Sequence, residues 1–336
     1  MKKGFSLIEI IIVIVIIGIL SSITFDVLKK LYFNYIYTQE LNKLNSNLNM
    51  AMEVISAKLK DRIKNSVIVT KYPSNTDQTD DNKVDFKPIS QAKKDDGYIV
   101  LEWINKDYEA KNGMWDNRVK HIQTGWSGFI DLGYKSHKVN INPKEFNLTT
   151  PDSNFSIVKL IDGNITSAYG DSSNIFEDNT TILIFSGANL SGDIVEDLNH
   201  SYGWYLKPSQ REAKAVFAIL KYKDYIKDNN LYTDIKISSI TKNDKTNTLY
   251  SRYYLARSAY AIVPIKNDTN DYNLTFVYNY QPWQGEWWRD GNKTLLATNV
   301  TQIRFKKENS IMRLYLCMRK VFKDFNVTSC KEKAIF

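Results

Sequence analysis

Residues 1–25 read MKKGFSLIEIIIVIVIIGILSSITF, and this stretch decides how the chain is built. The segment from Phe5 to Phe25 contains a single charged side chain, Glu9. At a rise of about 1.5 Å per residue it spans roughly 30 Å as a helix, which is the thickness of the hydrocarbon core of a bilayer. Lys2 and Lys3 precede the apolar run. The positive-inside rule therefore predicts a single-pass anchor that keeps the N-terminus in the cytoplasm and exports the rest.

Glu9 separates this segment from an ordinary secretory signal. Such a signal would place a small-residue cleavage site after the apolar run, and Ser21 and Ser22 offer small residues there. A secretory signal does not explain a carboxylate inside the apolar run, because an unpaired acid is costly in a membrane. The alternative is a membrane anchor in which the charged residue has no role, but an intramembrane acid indicates a functional role by default.

The run KKGFSLIE at residues 2–9 resembles the class III signal of type IV pilins and type II secretion pseudopilins. In that family a membrane aspartyl peptidase cuts after the glycine and methylates the new N-terminal phenylalanine. The resemblance implies that Gly4 ends the leader and that Phe5 is the N-methylated mature terminus. Glu9 is then the intramembrane glutamate, which pairs with the Phe5 amine of a neighbouring subunit. Removing one charge of such a buried pair costs about 3–5 kcal/mol.

The helical pattern continues beyond the apolar run. A stripe with spacings of three and four residues predicts one helix from about Ser6 to about Asn65, roughly 90 Å long. The first half is apolar on all sides, whereas the second is amphipathic and suited to packing on a globular head. A coiled-coil stalk is the alternative, but clean e/g charge pairing is missing. Many pilins break this helix with a proline, yet the first proline here is Pro73, so we expect no such break. The stripe consists of Leu41, Leu44, Leu48, Met52, Ile55, Leu59 and Ile63.

These patterns predict an α+β fold. A leader (1–4) precedes a transmembrane or filament-core half-helix (5–25), an amphipathic half-helix that packs on the head (26–66) and a β-rich head (67–336). Residues 74–94 are polar and predict a connector. The head should be a mainly antiparallel β domain, pilin-like with insertions or with a second subdomain. Its size resembles that of the W-like and J-like minor pilins. Short strands are predicted at 98–103, 155–161, 181–185, 215–222, 235–240, 249–255, 260–263, 274–280, 301–306 and 312–318.

Nothing in the sequence indicates catalysis. The three histidines, His121, His137 and His200, are far apart, and no phosphate-binding loop, nucleophile elbow or zinc-protease motif occurs. We therefore predict no enzyme, no cofactor and no metal site. The net charge of +8 is spread along the chain, so nucleic acid is not indicated as a partner.

Cys317 and Cys330 are the only cysteines. An exported protein with two cysteines can close one bridge, and pilin-like proteins often have a C-terminal disulfide. The alternative is a pair of free thiols.

The segment Trp283-Gln-Gly-Glu-Trp287-Trp288 is unusually aromatic. Exposed, it would form a binding patch for sugar rings, bases or a protein. Buried, it is part of an aromatic-rich core, which is the interpretation we favour.

Eleven Asn-x-Ser/Thr triplets lie beyond the membrane segment, and an acidic residue stands two positions before eight of the asparagines. This pattern resembles the extended acceptor of bacterial periplasmic N-glycosylation, in which case an oligosaccharyltransferase is a partner. The alternative is charge clustering in loops. The candidate acceptors are Asn147, Asn154, Asn164, Asn179, Asn199, Asn273, Asn292 and Asn326.

The resemblance implies a minor pilin or pseudopilin that primes or caps a type IV pilus or a type II secretion-like filament. Its partners would be prepilin peptidase, the inner-membrane assembly platform and other pilins, which it contacts through the N-terminal helix. The chain would wait in the inner membrane with its head in the periplasm and later join the filament. The alternative is a tip adhesin or a DNA- or glycan-binding subunit of the same filament.

Overall fold

The computed structural model describes residues 6–72, 84–93, 96–116, 120–133, 139–141, 144–186, 201–205, 214–240, 249–267, 271–309, 311–322 and 325–336. Gly4, Phe5 and Asn199 lie outside the described residues.

The N-terminal helix α1 runs without a break from Leu7 to Lys60, 54 residues. This confirms the long continuous helix, although it ends five residues before the predicted Asn65. The reason is a change of hydrogen-bond partner. The N–H of Ile63 donates to the carbonyl of Ile104 (2.8 Å), so the chain already joins a strand of the head at that point.

The first sheet has eight antiparallel strands, and α1 packs on one of its faces. Its order is β16-β15-β14-β13-β12-β3-β1-β2. These strands are β1 (Ile68–Lys71), β2 (Phe86–Pro88), β3 (Tyr98–Ile104), β12 (Ala259–Lys266), β13 (Tyr272–Tyr280), β14 (Asn292–Glu308), β15 (Ile311–Val321) and β16 (Asn326–Ile335).

A second sheet of six antiparallel strands has the order β11-β8-β9-β10-β7-β6. Its strands are β6 (Val139–Ile141), β7 (Lys144–Pro151), β8 (Ile182–Phe185), β9 (Val216–Lys227), β10 (Asn230–Ser239) and β11 (Tyr253–Ala256). A small hairpin pairs β4 (Met114–Asp116) with β5 (His121–Gln123). Two further helices are α2 (Tyr108–Asn112) and α3 (Phe155–Ala168).

Three apolar cores stack these elements into layers. The first lies between α1 and the first sheet, the second between the two sheets, and the third between the second sheet and α3. Alternation along β8 shows the arrangement, because Ile182 and Ile184 enter the core between the sheets while Leu183 and Phe185 enter the third core. This period of two is what a strand buried on both faces requires. The architecture is the expected α+β fold, with an apolar helix leading into a large antiparallel β head.

The predicted strand at residues 155–161 is wrong, because this segment begins α3. The Asn154 side chain accepts a hydrogen bond from the N–H of Ile157 (3.2 Å) and caps the helix. Phe155 and Val158, three residues apart, then bury one helical face in the third core. The capping hydrogen bond and the helical spacing outweigh the strand preference of the β-branched residues.

The polar connector was predicted too long. Within residues 74–94, Phe86–Pro88 forms β2 and Ile89 is 2% exposed in the core beneath α1. The strand predicted at residues 249–255 likewise begins only at Tyr253.

Candidate functional site

The first half of α1 is exposed on every side. From Leu7 to Tyr32 every side chain is exposed, and most of them are large apolar residues. This helix is long and apolar enough to cross a membrane. A bare apolar surface of this length is covered by lipid or by other helices when the protein is at work.

Glu9 lies in the first turn of this exposed helix. Its carboxylate accepts a hydrogen bond from the backbone N–H of Ser6 (2.9 Å), so it satisfies one of the amide donors left free at the helix start. The carboxylate also complements the positive end of the helix dipole. Glu9 therefore stands one turn from the predicted mature N-terminus, and among the described residues its second oxygen has no hydrogen-bond donor.

The second half of α1 is fixed to the head by one apolar stripe. Leu44, Leu48, Met52, Ile55 and Leu59 are all buried in the core shared with the first sheet. Leu41 packs at the edge of this core. The side chains of residues 26–32 are exposed, and Phe33 is the first half-buried residue. Packing on the head therefore begins about two turns after residue 26, where the predicted packing segment of 26–66 starts.

A polar ladder beside this stripe sets the register between α1 and β16. Asn45, Asn49 and Glu53 on the helix contact Ser329, Lys331 and Lys333 on the strand. The Lys333–Glu53 ion pair measures 2.7 Å. Four helical residues rise about 6 Å and two strand residues about 6.6 Å, so the two spacings match and every rung can form.

Cys317 and Cys330 form a disulfide, as predicted. The two residues are directly opposite on β15 and β16, with their Cα atoms 4.1 Å apart. The bridge therefore closes the hairpin that carries the polar ladder.

The aromatic segment does not form an exposed binding patch. Trp283 and Trp288 are 1% and 4% exposed and belong to the core between the two sheets. The indole N–H of Trp283 donates to the carbonyl of Asn179 (2.8 Å), which fixes the ring inside the head. Trp287 is half-buried and stacks with Arg289, whose guanidinium lies 4.6 Å from its ring centroid.

The predicted glycosylation residues fall into different environments. Asn154 is 6% exposed, and its amide donates to Gln123 (3.0 Å) while its oxygen caps α3. The folded chain therefore does not offer Asn154 as an acceptor. Asn164 and Asn326 are exposed. The remaining described candidates, Asn147, Asn179, Asn273 and Asn292, are half-buried.

Two of the acidic residues that stand two positions before these asparagines are buried in the folded head. Asp162, which precedes Asn164, is fully buried. Asp271, which precedes Asn273, is 5% exposed and forms an ion pair with Arg319 (2.6 Å). Neither carboxylate is therefore presented on the surface of the folded head.

Two buried acidic sites were missed from the sequence. Glu102 on β3 lies in the core between the sheets with no exposed surface. It accepts hydrogen bonds from the hydroxyls of Tyr280 (2.9 Å), Thr70 (3.2 Å) and Tyr205. Burial raises the pKa of Glu102 to about 7, although the three hydroxyl donors oppose that rise. One charge inside the apolar run YIVLEWI was the available signal.

The second buried site joins three parts of the head. Asp162 on α3 accepts from the Thr181 hydroxyl (2.7 Å) and lies 3.6 Å from the guanidinium of Arg257. Asp107 caps α2 by accepting from the N–H of Ala110 (3.1 Å). Burial raises the pKa of both Asp107 and Asp162, and their proximity raises that of Asp107 further. No spacing in the sequence connects these residues.

No grouping of histidine, cysteine or acidic side chains suited to a metal ion occurs in the part of the chain that the structure describes. Glu102 and Asp162 have no exposed surface and Asp107 is 4% exposed, so these carboxylates lie inside the head. The candidate functional site is therefore the first half of α1, which projects from the head.

Comparison with known proteins gives one match. Residues 1–25 match the family model described as the prokaryotic N-terminal methylation motif. No curated protein and no solved structure matches the chain.

Proposed function

We propose that this chain, which carries the N-terminal processing signal of type IV pilins and pseudopilins, is a minor subunit that primes or caps such a filament. One observation carries the proposal. The first half of α1 projects bare and apolar, while its second half is anchored in the head by an apolar stripe and a polar ladder. A helix of this kind can move from the lipid bilayer into a bundle of apolar helices.

Before assembly the exposed half of α1 crosses the inner membrane and the head stands in the periplasm. The peptidase removes residues 1–4 and methylates Phe5. During assembly the helix leaves the lipid and enters a bundle of neighbouring helices. Glu9 then pairs with the terminal amine of a neighbour and sets the axial register, because an unpaired charge at that depth costs several kcal/mol.

The size of the head supports a priming or capping role. Beyond the sheet that packs on α1, the chain adds a second six-stranded sheet and α3. A body of this size, in a chain of 38.9 kDa, is harder to repeat densely around a thin shaft than to place once at its tip.

Processing is tested first by mass spectrometry of the protein purified from membranes. The expected mature chain starts at Phe5 and carries one methyl group. Gly4→Val should leave the precursor uncut, since a branched side chain would replace the hydrogen at the scissile bond. Ser21→Val is the matched control and should be processed normally. An intact leader in the wild-type chain would overturn the assignment.

The assembly role is tested in a strain that lacks the gene. We expect filaments counted by electron microscopy to vanish, to return with the wild-type chain and to stay absent with Glu9→Gln. Asp26→Asn, an acid beyond the apolar run of the same helix, is the control and should restore them. Recovery of the chain as the bulk shaft component would refute priming or capping.

The alternative of a tip adhesin or a DNA- or glycan-binding subunit rested on the aromatic segment and on the net positive charge. Two of its three tryptophans are inside the head, so this segment gives no support for a ligand surface, and we do not propose one there.

A further inference from the structure

The head contacts α1 close to the end of the apolar run. Phe322, just after β15, and Phe325, just before β16, are joined by a hydrogen bond from the N–H of Phe322 to the carbonyl of Phe325 (2.9 Å). The Phe325 ring lies 6.5 Å from that of Phe33 and 5.9 Å from that of Tyr37. Phe322 stacks on Phe325 at 4.6 Å. These contacts hold the end of the hairpin against the helix at a defined height.

That height places Phe322 and Phe325 just above the membrane. Phe33 follows Phe25 by eight residues, so it lies about 12 Å beyond the apolar run along the helix axis. The headgroup layer on each side of the hydrocarbon core is about 5–8 Å thick. Lys29 and Lys30 therefore fall within or at the edge of the headgroups, and Phe33 with its partner Phe325 lies just outside them.

The side chains around this point suit an anionic lipid surface. We call Lys29, Lys30, Tyr32, Lys320 and Val321 the basal surface; all five are exposed. Three of them are cations, whereas Asp26 is the only acidic residue on α1 between Phe25 and Glu40. Tyr32 and Val321 are 64% and 58% exposed. Lysines beside tyrosine and apolar groups are typical of the water–membrane boundary.

We propose that the basal surface docks the head on anionic lipid headgroups while the subunit waits in the membrane. This inference rests on the proposed function, because it requires α1 to be the membrane anchor. The bilayer is favoured over a second copy of the chain because the basal surface is continuous with the spanning segment. Side chains at the height of Lys29 and Lys30 meet headgroups whenever the helix is inserted.

Docking has a consequence for assembly. A head held on the membrane surface has one orientation, rather than swinging about the exposed part of α1 between residues 26 and 32. Leaving the membrane then requires both the span and the basal surface to separate from lipid. Each lysine near an anionic surface should favour the docked state about fivefold.

The test measures how closely the head approaches the lipid. The processed full-length chain is placed in nanodiscs of phosphatidylcholine and phosphatidylglycerol that contain a nickel-chelating lipid. A nitroxide is attached to Val321→Cys without reduction of the native disulfide. Ile226→Cys on the second sheet is the matched control, because Ile226 is 64% exposed and also lies near the end of a strand. Paramagnetic relaxation of each nitroxide is then compared.

We expect strong relaxation at position 321 and little at position 226. Relaxation at 321 should fall when Lys29, Lys30 and Lys320 are all replaced by Gln, and also in phosphatidylcholine alone. Docking would be overturned by equal relaxation at the two positions. It would also be overturned if relaxation at position 321 did not change when the lysines are replaced or the anionic lipid is removed. A chain that fails to enter nanodiscs at all would instead refute the membrane anchor, and hence the proposed function.

Discussion

Replacement of Glu102 by Gln should remove a pH dependence from the stability of the head. Glu102 has no exposed surface and sits between the two sheets, where Thr70, Tyr205 and Tyr280 are its hydrogen-bond donors among the described residues. Burial penalises the charged carboxylate more than these three donors favour it, and its pKa rises from 4.5 to about 7. Gln is neutral at every pH and has nearly the same shape.

The sign and size of the effect follow from linkage. In the unfolded chain Glu102 loses its proton near pH 4.5, whereas the folded protein keeps it up to about pH 7. The folded state therefore binds more protons in that interval, and stability falls as the pH rises through it. The contribution is fully present below pH 4.5 and is lost above about pH 7. The shift corresponds to about 3 kcal/mol of unfolding free energy.

Urea unfolding of the full chain in detergent, followed by tryptophan fluorescence, gives the free energy at each pH. Across the interval, the Glu102→Gln variant should gain about 3 kcal/mol relative to the wild type. Glu177→Gln, whose side chain is 62% exposed, is the control and should follow the wild type. If the free energies of unfolding of the wild type and Glu102→Gln differ by the same amount at all pH values, Glu102 does not titrate in this range. That result would contradict the raised pKa of Glu102.

Three further predictions concern stability under the same assay. Replacing Cys317 and Cys330 together by Ser should cost about 3 kcal/mol, since the bridge closes a short loop in the unfolded chain; reducing agent should destabilise the wild type but not this variant. Leu48→Ala should cost about 2–5 kcal/mol because the Leu48 side chain of α1 is fully buried against the first sheet, and an unchanged midpoint would contradict the packing of α1 on the head. Arg257→Met should cost about 3–5 kcal/mol at neutral pH by leaving the buried Asp162 without its cation. That loss should shrink in acid as the carboxyl group is protonated, and a loss independent of pH would argue against a charged pair.

Several features could be predicted because they depend on local pattern. The apolar run needs only its length and composition to span a membrane, and the stripe from Leu41 to Leu59 needs only helical periodicity to define a packing face. Central strands such as β12 and β13 were found from their β-branched and aromatic residues. The disulfide followed from there being two cysteines in a chain that was predicted to be exported.

Other features failed because the deciding contacts are remote in sequence. Residues 155–161 have strand-like composition, yet the cap at Asn154 and a partner surface on the second sheet make them helical. Burial of Trp283 and Trp288 was the favoured interpretation, but the residues that cover them in the core between the two sheets are remote in sequence and could not be named. Pairing of short strands such as β6 with β7 cannot be inferred from either strand alone.

The projecting apolar helix, the acid within it and the β character of the head follow from the sequence alone, because each is a property of neighbouring residues. Only the tertiary structure decided how the two sheets stack, which acids are buried between them and where the head meets the helix. These features depend on burial, and burial of a side chain depends on residues that are distant in the sequence. The environment of Glu102 is made by Thr70, Tyr205 and Tyr280, which lie 32, 103 and 178 residues away along the chain and meet only in the folded core.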